Sequence, residues 1–399
     1  MKHIIVFTSL VLIISVFSLS SCNSSKVKKE NQKVETQATD SLNKAISLAY
    51  RGVVYDVGLQ FNPGTYSVEP YNPDLVKYDM KVIKNELHAN TVRIEGEEIS
   101  RIVDATLAAH NVGLKVFFNP WKMGADAPTT IAYMSEAAKA AEKLREQGID
   151  LVFVAGCEYS LFSKGALPGE TFNDRMVNLA KNLQAAAIEQ KQTPEMMSAD
   201  QKLNDILSEI MKGVRENFKG KVTYSSGSWE NINWDLFDIV GVDYYRNGES
   251  KEQYVKGLER YKKSKPLFVM EVGSCTYEGA GAKGAGGFSI FQGVNPDGTV
   301  IYEGGNIPIR SEKEQADYVE TQIKLLDQAG ADGVFIYVFA FPQMPYSEEK
   351  GKDMDMTSYA LVKTFSKQDS RSQKIPNWEK KEAFTRLSNI YEELSHRNK

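Results

Sequence analysis

Histidine and cysteine are nearly missing from this chain: its 399 residues include 4 histidines and 3 cysteines. His3 falls in an N-terminal leader. His88 and His110 lie in the helix-like stretches 75–88 and 98–112, and His396 lies in the C-terminal tail. None stands in a metal-ligand spacing such as HExxH, and a Ser-His-Asp triad has no base. Two cysteines beyond Cys22, namely Cys157 and Cys275, make no disulfide framework, so the core must be hydrophobic. A strongly basic field is also missing. The formal net charge is −4, and some of the basic residues lie in the leader and the segment after it, which excludes nucleic acid as a partner. No motif asks for a metal or a cofactor. Chemistry in such a chain rests on its carboxylates.

The N-terminus reads as a lipoprotein signal over residues 1–22. Met1-Lys2-His3 is a basic start, and the apolar stretch Ile4 to Phe17 is too short for a transmembrane helix. Leu19-Ser20-Ser21-Cys22 resembles the bacterial lipobox, in which the cysteine becomes the lipidated first residue of the mature protein. That places the protein in the cell envelope, with the membrane as a partner through a lipid anchor on Cys22. Residues 23–48 are rich in Ser, Lys, Asn, Gln and Glu and read as a solvated tether. Residues 49–399, about 350 in all, suffice for one large α/β domain.

From Arg51 onward the chain alternates short apolar runs with amphipathic stretches. Strands are expected at 52–56, 90–95, 114–118, 150–155, 221–225, 237–243, 267–271 and 333–338. Helices are expected at 73–88, 99–111, 131–147, 173–190, 201–218, 251–263, 312–329 and 378–394, several closed by a glycine. Eight strands with interposed helices predict a closed parallel (β/α)8 barrel. A doubly wound open sheet would carry a phosphate-binding turn after its first strand. Here that turn is Val57-Gly-Leu-Gln-Phe-Asn62, without GxGxxG spacing. The glycine-rich stretch Gly279 to Gly287 lacks a P-loop lysine and reads as a mobile rim loop.

Two of these runs end in glutamate: Leu151 to Cys157 is followed by Glu158, and Pro266 to Met270 by Glu271. An acid at the carboxyl end of a barrel strand sits at the rim where such folds carry out their chemistry. Two carboxylates on one rim are the minimal equipment for cleaving a glycosidic bond. The other strand ends present Tyr55 and Asp56, Arg93 and Glu95, Asn119, Pro120 and Trp121, Trp229, Asp243 and Tyr245, and Tyr337, Phe339 and Phe341. Trp121, Trp229 and the tyrosines suit the apolar faces of sugars, and Asp56, Arg93, Asn119 and Asp243 suit their hydroxyls. Phe118, Phe153 and Phe335 read as core.

On these residues the chain resembles glycoside hydrolase clan A, the retaining (β/α)8 enzymes, in a mannanase-like branch. Ala155-Gly-Cys-Glu158-Tyr matches the acid/base segment, and Val269-Met-Glu271-Val-Gly matches the nucleophile segment. Val240-Gly-Val-Asp-Tyr-Tyr245 matches the strand whose tyrosine supports the nucleophile. Arg93 falls where the clan often has an arginine beside that carboxylate. The resemblance implies a retaining hydrolase of an oligo- or polysaccharide, with Glu271 as nucleophile and Glu158 as acid/base. Two departures stand out: Cys157 replaces the clan's asparagine before Glu158, and the end of strand eight has Phe339-Ala-Phe341 in place of the usual tryptophan. Both fit an alternative, a non-catalytic carbohydrate-binding or signalling pseudoenzyme on the same barrel. A third reading, a surface lipoprotein without ligand, does not explain the acidic and aromatic rim. The whole chain also resembles bacterial sequences labelled abortive-infection proteins, a label that implies no chemistry.

Overall fold

A computed structural model describes residues 48–397. The leader, the lipobox Cys22 and nearly all of the tether lie outside the described residues. The residue expected to end the tether, Leu48, is buried in the core and so belongs to the folded unit.

Eight strands close a barrel: β1 (Tyr50–Asp56), β2 (Thr91–Gly96), β3 (Lys115–Pro120), β4 (Leu151–Cys157), β5 (Lys221–Gly227), β6 (Val240–Asp243), β7 (Leu267–Val272) and β8 (Gly333–Ile336). Neighbours in sequence pair in parallel all the way round, and β8 returns to β1. Helices α1 (Pro73–Asn85), α2 (Ile99–Asn111), α3 (Ala127–Glu146), α4 (Phe172–Glu189), α5 (Pro194–Asn217), α6 (Lys251–Gly257), α7 (Glu312–Gln328) and α8 (Glu382–Arg397) fill the crossovers and the C-terminus. The expected (β/α)8 barrel is the observed fold.

The strands are apolar on both faces because each face meets a different core. Val53, Tyr55, Val92, Ile94, Val116 and Phe118 join the large cluster between strands and helices. Val54, Phe117, Val152, Val154, Phe268, Met270 and Phe335 fill the barrel itself. The Phe117 ring lies 4.8 Å from Phe335 and 5.2 Å from Phe268, which plugs the lower end. Gly52 belongs to this packing, since a Cβ there would stand 2.4 Å from the Phe335 ring.

Helix starts follow local capping chemistry rather than apolar periodicity. Asp126 accepts from Thr129 N and Thr193 accepts from Met196 N, each with a proline in the first turn. Accordingly α3 and α5 begin several residues before the expected 131 and 201. At the other end of the chain, the helix expected from Trp378 begins only at Glu382. Trp378–Lys380 pairs instead with Val362–Thr364 as a small antiparallel ribbon. Trp378 Nε1 donates to Asp79 Oδ1 at 2.9 Å, which holds the residue against α1 and out of a helix.

His88 is not helical. The helix ends at Asn85 and His88 takes a left-handed conformation with φ of 58°. His396 lies within α8 rather than in a tail beyond it. The glycine-rich stretch expected to be a mobile rim loop is a helical turn followed by a 3-10 segment. Tyr277 OH donates to Gly287 O and Tyr359 OH to Ala285 O, both at 2.7 Å, which ties it down.

Candidate active site

Glu271 reaches the site through a register slip. On β7, Phe268 and Met270 point into the barrel, so strict alternation would turn Glu271 outward. The β6–β7 ladder shifts between Val242 and Asp243, setting Asp243 opposite Glu271, and the β7–β8 ladder also shifts, between Val334 and Ile336. Such a bulge adds a residue and re-aims the side chains that follow. The Glu271 carboxylate then lies 2.9 Å from Arg93 Nη2 and accepts a hydrogen bond from Tyr245 OH at 3.2 Å.

Glu158 arrives through a second slip, between Val154 and Cys157 on the β4–β5 ladder. Gly156 takes φ of 131° and Glu158 itself φ of 41°. A left-handed conformation costs a non-glycine residue about 1–2 kcal/mol, a strain that recurs at functional sites. The next turn, Tyr159–Phe162, is fixed by Glu230, which accepts from Ser160 N, Ser160 Oγ, Tyr224 OH and Gly227 N. Among the described residues, no protein group hydrogen-bonds the Glu158 carboxyl. Burial, with the charges of Asp243, Glu271 and Glu230, raises its pKa well above the usual carboxylate range. Burial likewise pushes Glu230 up to about 7, although the hydrogen bonds it accepts oppose the shift.

Beneath these two glutamates lies a layer organised by Arg93, whose side chain has no solvent exposure. Its Nε donates to Asn119 Oδ1 at 2.7 Å, Nη1 to the Met270 carbonyl at 3.0 Å, and Nη2 to Glu95 Oε2 at 3.1 Å. Asp243 Oδ1 stands 3.9 Å from Nη1 and accepts from Ser225 Oγ. Asp56 accepts from Gly58 N, and its pKa is pushed up to about 6 by burial. Burial also raises Glu95 and Asp243 well above the usual range. One guanidinium faces several buried acids here, and burial favours the protonated form of those it does not pair.

A cavity of about 2240 Å³ opens above this layer, and both Glu158 and Glu271 line it. Of the residues expected to bind substrate, Trp121, Trp229, Tyr245 and Tyr337 line it as well. Asp56, Arg93, Asn119 and Asp243 do not. They were expected to meet sugar hydroxyls, but they are buried one layer down, Arg93, Asn119 and Asp243 facing one another and Asp56 accepting from Gly58 N, because inward-facing strand positions lead into the barrel rather than out over its rim. Tyr55 and Phe339 leave the rim altogether. Tyr55 OH donates to Asp79 Oδ2 at 2.8 Å, and Phe339 packs 5.4 Å from Trp378 on the helix side.

Several cavity residues carry no sequence signal of their own. Gln60, Glu97 and Lys122 form a polar edge, with Lys122 Nζ 2.6 Å from Glu97 Oε1. Phe162 sits 5.0 Å from Trp121 and 5.1 Å from Phe172. Its place four residues after Glu158 was the one available clue. Glu230, beside the noticed Trp229, was legible only as one more acid.

Cys157 Sγ and carboxylate oxygens of Asp243 and Glu271 lie within 4.8 Å of one another, a spacing open to a metal ion. Arg93 Nη2 already stands 3.3 Å from that sulfur and 2.9 Å from Glu271, so the cation position is occupied by a guanidinium. Burial also raises the Cys157 thiol well above its ordinary range, which disfavours the thiolate a metal needs. The donor set does not fit a metal.

No protein-family model matches the chain, and no curated protein does. The resemblance to sequences labelled abortive-infection proteins therefore gains no support from these comparisons. Solved structures do match. A GH113 beta-1,4-mannanase superposes over 87% of this chain and 98% of its own, at 15% identity and a TM-score of 0.53. The GH113 beta-mannanase from Alicyclobacillus acidocaldarius covers 89% of this chain and 99% of its own, at 16% identity and a TM-score of 0.51. A GH2 beta-galacturonidase from Eisenbergiella tayi covers 88% of this chain and 52% of its own, at 12% identity and a TM-score of 0.51. At these identities the likeness is one of fold, and it places the chain among (β/α)8 barrels of the kind these glycosidases use.

Proposed function

We propose that this protein is a retaining glycoside hydrolase that cleaves an oligo- or polysaccharide by double displacement. One observation carries the reading: Glu271 on β7 and Glu158 just past the end of β4 line one cavity with opposite surroundings. Glu271 is held by Arg93 and Tyr245, whereas the Glu158 carboxyl has no hydrogen bond from any described residue and its pKa is raised by burial and the neighbouring acids. These are the environments of a nucleophile and of a general acid. The resemblance of the segments around both residues and the fold of the GH113 mannanases support the same assignment.

In the first step Glu271 attacks the anomeric carbon while the bond to the leaving oxygen breaks, and Glu158 gives that oxygen its proton. Glu158, now ionised, then takes a proton from water as the water attacks the glycosyl-enzyme, releasing the sugar and restoring Glu271. This chemistry needs carboxyl groups about 5 to 5.5 Å apart. Tyr245 steadies the nucleophile, and Trp121, Trp229 and Tyr337 offer faces on which sugar rings stack. The arginine layer below fixes Glu271 rather than touching substrate.

Cys157 favours the second reading, a carbohydrate binder without turnover. Its Sγ lies 3.6 Å from Glu271 Oε1, and the residue replaces the asparagine that the clan uses to hold the sugar 2-hydroxyl. The deciding experiment is hydrolysis of aryl glycosides and of plant and host polysaccharides by the protein lacking residues 1–22. Turnover supports the hydrolase. Binding without turnover across the panel establishes the binder. On location, we infer that Cys22 carries a lipid that anchors the barrel to the cell envelope through the tether.

A further inference from the structure

The cavity does not end at the two glutamates. Beyond Glu158 it continues along a wall made by Phe162, Phe172, Met176, Leu179, Leu183 and Ile188. Phe172, Met176, Leu179 and Leu183 recur at three- and four-residue spacing, so they occupy one face of α4. A face of this kind normally packs against the barrel. Here Leu183 is 45% exposed and Ile188 75% exposed, among the few large apolar side chains left open to solvent. The wall is continuous with the aromatic group around Trp121 and Phe162, and Trp229 packs on its inner part.

We propose that this wall is the subsite for the leaving group, and that the substrates are glycosides carrying a hydrocarbon aglycone. The inference rests on the hydrolase reading and names its substrate class. A general acid protonates the oxygen that joins sugar to leaving group, so the leaving group lies on the Glu158 side of the broken bond. The β4–β5 crossover supplies the acid, the turn Tyr159–Phe162 and α4, and thus brings the wall to that side. Asn173 and Gln184 line the same stretch, but the six side chains of the wall itself offer a second sugar no hydroxyl partner, whereas an alkyl chain would bury its methylenes on them. When the glycosidic bond breaks, the chain leaves as a neutral alcohol with the proton from Glu158.

The test is calorimetric titration of the Glu271→Ala protein, which cannot turn substrate over, with n-octyl and methyl β-D-mannoside and the matching glucosides, below micellar concentrations. The octyl ligand should bind at least about tenfold more tightly than the methyl ligand for either sugar, as expected for partial burial of a seven-methylene extension. Adding Leu183→Gln and Ile188→Gln, both exposed and harmless to the core, should cut that preference below roughly threefold while leaving methyl glycoside affinity unchanged. Met176→Gln should act in the same direction. Equal affinity for octyl and methyl ligands overturns the proposal, as does a preference that survives the wall substitutions. So does a wild type that light scattering shows to be a dimer and that becomes monomeric on Leu183→Gln and Ile188→Gln. The two failures are distinguishable: an inert wild type that still prefers octyl ligands loses the hydrolase reading, and with it the leaving-group role, but keeps the wall as a hydrocarbon-binding site, whereas aryl glycoside turnover without chain-length preference loses this inference alone.

Discussion

Arg93 Nη2 lies 2.9 Å from Glu271 Oε1, while the carboxyl group of Glu158, on the same cavity, receives no hydrogen bond from any described residue. The proposed mechanism takes its division of labour between the two acids from this asymmetry. Glu271→Ala should abolish turnover of every glycoside, because the proposed mechanism forms its covalent intermediate on that carboxylate. Glu158→Ala should be mild on aryl glycosides with good leaving groups and severe on poor ones, and added azide should restore rate by attacking the glycosyl-enzyme. Steady-state kinetics of the two variants decide it, and equal loss on all substrates removes the assigned roles.

Asp79 offers a stability test away from the cavity. Burial raises its pKa to about 7, against the hydrogen bonds from Tyr55 and Trp378. The folded state therefore holds a proton that the unfolded chain releases near pH 4. The resulting penalty is absent below that pH, grows as pH rises toward 7 and is constant above it. Asp79→Asn keeps an acceptor for Trp378 and a donor for Tyr55. At pH 8 it should be more stable than wild type, by up to about 4 kcal/mol, with the gap closing by pH 4. Denaturant melts at both pH values check this, and a gap that widens on acidification would contradict it.

Cys157 and Cys275 are buried, and burial raises both thiols above their ordinary range. With Cys22 replaced by Ala, the native protein should leave a thiol reagent unreacted at pH 8 for hours. Two equivalents should react after denaturation. Rapid labelling of the folded protein would mean that the Arg93 layer opens to solvent.

Cys22 can be tested by fractionation. Among the described residues no helix is long and apolar enough to cross a membrane, and the proposed anchor is a lipid on Cys22. Cys22→Ala should move the protein from the membrane pellet to the soluble fraction. Retention in the pellet after a high-salt wash would rule the lipobox out.

The barrel was legible in the sequence because its strands are buried on both faces, which writes them as apolar runs such as Leu151 to Cys157, and because Glu158 and Glu271 close such runs. The aromatics past the strand ends, Trp121 and Trp229, were legible for the same reason: a residue beyond the last ladder bond belongs to the rim. What the sequence could not carry was direction. A run apolar on both faces has no period to say which side chains turn inward, so Asp56, Asn119 and Asp243 looked like rim groups although all three are buried below the cavity. Only the ladder slips at Val154/Cys157 and Val242/Asp243 decide that Glu158 and Glu271 both face the cavity. Slips of this kind arise from how neighbouring strands fit around the closed barrel, so they exist only once the tertiary structure has formed.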